Sequence, residues 1–173
     1  MSDFFNIATE QLSDIINRFS FKVVKNGEKS LFLIGIGFSI SLAITPYGLE
    51  AVYYYINNHQ ILYLNNLSLA MCARRGAWLS SDLPKVESVT FDDFVTKSLE
   101  AWKKLAINYS DILSGDISWI KEFVILGSPR IIANANELKE IRNNPPMKEL
   151  YFQPASQNDD QILRPYFVGQ GLL

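Results

Sequence analysis

Two cations stand beside an indole in the stretch Arg74-Arg75-Gly76-Ala77-Trp78. Guanidinium groups grip phosphate and an indole stacks a base, so this loop has the parts of a nucleic-acid contact. Trp and Arg are equally the residues enriched at the energetic centre of protein interfaces. The plain structural alternative is a surface loop whose tryptophan tucks into the core. Four carboxylates, Asp92, Asp93, Asp111 and Asp116, bracket one predicted helix. Two of them could converge as an acid and a base, although helix ends gather aspartate for capping and dipole reasons alone.

Cys72 is the only cysteine and lies in the apolar stretch SLAMCA. A nucleophilic thiol needs an electropositive setting, which Arg74 and Arg75 could supply; a buried thiol is simply a small hydrophobe. His59, the only histidine, falls in a predicted turn beside two asparagines. One cysteine and one histidine exclude an internal disulfide and any zinc site built from several such ligands. Gly35-Ile36-Gly37 lacks the third glycine of a dinucleotide fingerprint and sits within a strand pattern, so it reads as close backbone packing. The glycines around Ser128-Pro129-Arg130 are too few to cradle phosphate. No cofactor and no metal is expected.

The elements that must position these residues follow from periodicity. From Ile34 to Thr45 large apolar residues alternate with small ones: Ile34, Ile36, Phe38, Ile40, Leu42 and Ile44 against Gly35, Gly37, Ser39, Ser41, Ala43 and Thr45. A period of two is that of a strand, so residues 31–45 read as one long central strand. One of its faces carries bulk for a core. The other is nearly flat, open to close approach by another element or chain. The 20 uncharged residues from 30 to 49 also match the length of a membrane helix. Sorting by parity has no purpose on a lipid-facing helix, and Pro46 with Gly48 ends the run, so a membrane anchor is the weaker reading.

Residues 2–19 carry an apolar stripe at three- and four-residue spacing, which predicts a first helix. FKVV, the Asn26-Gly27 turn and the central strand form a hairpin. LEAVYYYIN and ILYLN continue the meander. Within the first of these, Val52, Tyr54 and Ile56 face one way. If Tyr54 joins the core, Tyr53 and Tyr55 are left exposed as interface aromatics. Thr90 caps a long helix over about 90–113 whose apolar face, from Phe91 to Leu113, should lie across the sheet. A short strand closes ISWIKEFVIL, and ELKEIR gives at most two helical turns before Pro145. The tail mixes polar spacers with the anchors Tyr151, Phe152, Tyr166 and Phe167, which suggests an extended arm.

With 173 residues, 48% of them apolar, the chain can bury a real core. A net charge of −2 offers no basic excess for phosphate and disfavours a dedicated nucleic-acid binder. The acidic, amphipathic start lacks the form of a secretory signal, and a single cysteine suits a reducing, cytoplasmic compartment. The expected architecture is α+β. An antiparallel meander sheet of about five strands is packed by an N-terminal helix and a long helix at about 90–113. Residues 1–145 form a single domain and 146–173 an extended C-terminal arm. The expected function is that of a non-enzymatic protein-binding subunit, an assembly component or an immunity-like inhibitor, whose partner is another protein or a second copy. Its interface residues would be Arg74, Arg75, Trp78, Tyr53, Tyr55, Tyr151, Phe152, Tyr166 and Phe167. The alternatives are an accessory subunit of a ribonucleoprotein acting through the Arg/Trp loop, a small enzyme using carboxylates or Cys72, and a membrane-anchored protein.

Overall fold

The alternating stretch does become β-structure, but as two strands instead of one. In a computed structural model of the chain, β2 (Ser30–Ile34) and β3 (Phe38–Thr45) are antiparallel neighbours. The chain reverses at Gly35-Ile36-Gly37, where the Gly35 N–H donates to the Phe38 carbonyl at 3.0 Å. Gly37 has φ +76, a conformation that only glycine adopts cheaply. From Phe38 onward the large residues share the main-core face as expected, whereas Ile36 enters solvent and Ile34 packs on the opposite face of the sheet. The structure describes residues 3–65, 67–68, 71, 90–119, 124–126, 130–132 and 153–173.

The sheet is an antiparallel meander with one late addition. β1 (Lys22–Lys25), β2, β3, β4 (Gly48–Asn57) and β5 (Gln60–Leu64) pair in chain order, and β8 (Gln153–Pro154) adds to β5, making six strands among the described residues. A second, two-stranded sheet joins β6 (Val124–Leu126) to β7 (Arg130–Ile132). The β4–β5 turn is a two-residue loop with positive φ at both Asn58 (+48) and His59 (+61), the twist that tight hairpins prefer. Among the described residues no helix is long and apolar enough to cross a membrane. The run 30–49 is taken up by strands, which removes the membrane helix considered for it.

On one face of the sheet, Leu33, Ile40, Leu42 and Tyr53 pack with residues of the helices. α1 (Phe4–Gln11) is capped by Asp3, whose carboxylate accepts from the Phe5 N–H at 3.3 Å. The stripe expected as one helix is interrupted at Leu12, after which α2 (Ser13–Arg18) resumes. α3 (Phe91–Ala106) starts at Thr90, whose hydroxyl accepts from the Asp93 N–H at 3.2 Å. It buries Val95, Leu99, Trp102 and Leu105. α3 stops before 113; a turn at 107–108 leads to the short α4 (Ser110–Ser114), which Gly115 ends at φ +83.

The other face is covered as well, and this corrects the extended arm. Residues 157–169 form α5 (Gln157–Gly169), with the Ser156 hydroxyl accepting from the Asp159 N–H at 3.1 Å. Its Leu163 and Phe167 are fully buried against Phe32, Ile34, Tyr54 and Ile61. The register explains how the helix fits. Ser39 lies opposite Ile34 and Tyr54, and Ser41 opposite Phe32 and Val52, so small side chains of β3 run down the middle of this face. The flat stripe thus receives the chain's own helix. Burying two side chains of this size contributes about 3–6 kcal/mol before ordering costs.

Candidate functional site

The sites foreseen in the sequence separate into three groups. Tyr53 and Tyr55, expected to be exposed, are buried in the main core. The reason is register: Tyr53 lies opposite Ile40 and Tyr55 opposite Phe38, on the bulky face, and Tyr54 enters the second core beneath α5. Phe167 is buried and Tyr166 half-buried on the chain's own sheet, so neither is a free anchor. Arg74, Arg75, Trp78, Tyr151, Phe152 and Cys72 lie outside the described residues, as do Ser128, Pro129 and the ELKEIR segment.

The carboxylates behave as helix-end groups. Asp92 and Asp93 occupy the first turn of α3, and Asp93 pairs with Lys97 at 2.9 Å. Asp116 accepts from the Ser118 N–H at 2.9 Å. Asp111 and Asp116 do come near one chemical group, the Tyr53 hydroxyl. Burial first, then the charges of Asp116 and Asp111, push that phenol well above its ordinary range. It is fully buried and lacks a hydrogen-bond partner among the described residues. A protonated phenol without access to solvent cannot serve a substrate. His59 is exposed in its turn. No group of three or more potential metal ligands occurs among the described residues.

What the sequence did not suggest is an apolar end to the molecule. Ile36, at the tip of the β2–β3 hairpin, is 82% exposed. The tip is held from both sides. The Gln170 side chain accepts from the Gly37 N–H at 3.0 Å and donates to the Gly35 carbonyl at 2.9 Å. A Cβ placed on Gly37 would meet Leu172 Cδ1 at 3.4 Å, and one on Gly115 would meet the Ile36 carbonyl at 3.4 Å. The hairpin therefore sits between the end of α4 and the residues that follow α5. These neighbours also carry exposed apolar side chains: Ile117, Val168 and Leu172. Ile107, where α3 leads into α4, is exposed as well.

The opposite end of β3 offers a contrast. Tyr47, in the β3–β4 turn, is 97% exposed. Thr45 organises that turn, its hydroxyl accepting from the Tyr47 N–H at 3.2 Å and donating to the Gly48 carbonyl at 3.0 Å. Ile117, Val168 and Leu172, by contrast, lie within three residues of groups that touch the Ile36 hairpin. Single exposed hydrophobes need no explanation, but a cluster of them on a fixed backbone does. A convex apolar tip can enter a pocket on another surface, and its fixed backbone reduces the entropy lost on docking. No family model, curated protein or solved structure matches the chain.

Proposed function

We propose that this protein is a non-enzymatic binding subunit of the cytoplasm that docks on another protein through the Ile36 hairpin tip. The observation that carries the reading is the tip itself: a large aliphatic side chain in solvent, on a turn clamped by Gln170 and flanked by further exposed apolar residues. Such a knob suits an apolar pocket in a partner, with Ile117, Val168 and Leu172 forming its surround. Assembly component and immunity-like inhibitor are both roles of this kind. The single cysteine agrees with a reducing compartment.

The test is affinity purification from the native host at moderate salt, run in parallel with wild type and Ile36→Glu. Ile36 touches little of its own fold, so the variant should melt with wild type. The expected result is a stoichiometric protein that co-elutes with wild type, is lost from Ile36→Glu, and brings no nucleic acid. A partner retained by Ile36→Glu, or nucleic acid in the eluate in place of a protein, overturns the proposal.

A further inference from the structure

Among the described residues the meander leaves one long edge, β1. Its backbone shows which groups face outward. The Asn26 N–H donates to the Ser30 carbonyl at 2.9 Å, so the pair 26–30 is hydrogen-bonded. Pairs in an antiparallel ladder alternate. Val24 with Phe32 and Lys22 with Ile34 are therefore the next bonded pairs, whereas Val23–Leu33 and Lys25–Leu31 are not. The ladder on the other side of β2 gives the same answer. It starts from the Gly35–Phe38 bond, which turns Leu33 and Leu31 toward β3. The N–H and C=O groups of Val23 and Lys25 thus point away from the sheet. No hydrogen bond from another described element reaches them. Phe21, the next residue of that parity, is already engaged through its N–H with the Ile16 carbonyl at 2.9 Å.

Lysines usually guard such an edge, but here they are drawn off it. The Lys22 ammonium lies 4.7 Å from the centroid of the Tyr166 ring, on the α5 face. Lys25 pairs with Asp3 and lies 6.0 Å from the Phe5 ring, on the opposite face. The open backbone is flanked by one cation above the sheet and one below it. The far edge differs: β8 is two residues long and includes Pro154, which blunts it.

We propose that β1 receives an extended, acidic segment of another protein as a further strand, paired through Val23 and Lys25 and flanked by Lys22 and Lys25. Main-chain bonds supply the attachment, and carboxylates three residues apart on the incoming strand, one on each face, meet the two cations. A second copy of this chain fits poorly. Edge-to-edge pairing would gather four lysines into one short strip with only two Asp3 carboxylates beside them, and like charges across a strand pair are destabilising. This surface is separate from the Ile36 tip, so failure of either proposal leaves the other standing.

The probes are two capped peptides, acetyl-Thr-Glu-Val-Val-Glu-Thr-amide and its counterpart with lysine in place of glutamate, titrated into nitrogen-15-labelled protein. The acidic peptide should shift the Val23 and Lys25 amide resonances in a saturable way and slow their exchange with solvent; the basic one should do neither. Val23→Pro removes one outward donor without touching the β1–β2 ladder, and should weaken the acidic peptide about tenfold. Reversing both charges, Lys22→Glu with Lys25→Glu, should exchange the preference between the peptides, and decides alone if Val23→Pro fails to fold. Equal binding of both peptides, absence of binding to either, or a reversible dimer of the wild type abolished by Val23→Pro would each overturn the proposal.

Discussion

The ring of Phe38 occupies a slot made by two glycines, and filling either one should conflict with that ring. A Cβ on Gly35 would fall 2.2 Å from Phe38 Cε1 and 2.5 Å from Cζ. A Cβ on Gly115 would fall 2.5 Å from Cδ1 and 2.7 Å from Cε1 of the same ring. The ring cannot swing aside, because Tyr53 stacks on it at 5.5 Å between centroids and Phe21 meets it edge-on at 5.7 Å. Gly35 is not among the residues with positive φ, so the cost of Gly35→Ala is steric, about 1–3 kcal/mol as for overpacked cores. Gly115 is at φ +83, and Gly115→Ala adds about 1–2 kcal/mol for a left-handed alanine. Phe38→Leu deletes the ring atoms in question. In that background Gly35→Ala should cost almost nothing, and Gly115→Ala only its backbone part. Urea unfolding of wild type, the three single variants and both doubles gives the coupling energies, expected at about 1–3 kcal/mol for each glycine with Phe38. Additivity of Gly35→Ala and Phe38→Leu within about 0.5 kcal/mol would show that the ring does not fill the slot.

Phe167→Ala should cost about 3–5 kcal/mol in the same assay, because its ring is fully buried between α5 and the sheet. Ser41→Trp should destabilise severely or yield insoluble protein, since the small-residue face of β3 is occupied; a stable, soluble variant would contradict the docking of α5. Tyr53→Phe should be near neutral at pH 7, as it removes a hydroxyl that has no hydrogen-bond partner among the described residues. In the alkaline range it should be more stable than wild type. The unfolded phenol ionises near the ordinary tyrosine value of 10.0, the folded one well above it, so wild type loses stability as pH rises past that point. Melting temperatures of the two proteins at pH 7 and pH 11 check the difference. The Asp160 carboxylate is held below 3.8 by its hydrogen bonds to Arg164. Its contribution is present above that value and fades as pH falls through the folded one. Asp160→Asn should cost about 0.3–0.5 kcal/mol at neutral pH and less in high salt.

The α+β class and the meander were legible because parity and turn residues act locally: Asn26-Gly27, Pro46 with Gly48 and Asn58-His59 each reverse the chain between strand patterns. The tip at Ile36 was hidden because large and small residues keep alternating in sequence through the two-residue turn, although the turn flips their faces, so that Ile34 lies under α5 and Phe38 in the main core. The faces of the tyrosine strand could not be assigned from its own sequence, because both faces of β4 are covered and neither reads as polar. α5 was masked by Pro165, yet its spacing is helical: Ile162 with Tyr166 and Leu163 with Phe167 stand four apart, after Ser156 with Asp159 three residues on. The Gln170 clamp joins groups more than 130 positions apart, a distance over which no local pattern speaks.

That separation also sets an order of events during synthesis. The first five strands leave the ribosome and can pair while the segment bearing α5 has yet to be made. Through that interval the face lined by Phe32, Ile34, Tyr54 and Ile61 stands bare, with the Ile36 turn unclamped. The nascent protein thus passes through a stage with an uncovered apolar sheet, which chaperones would have reason to shield until residues 153–173 arrive.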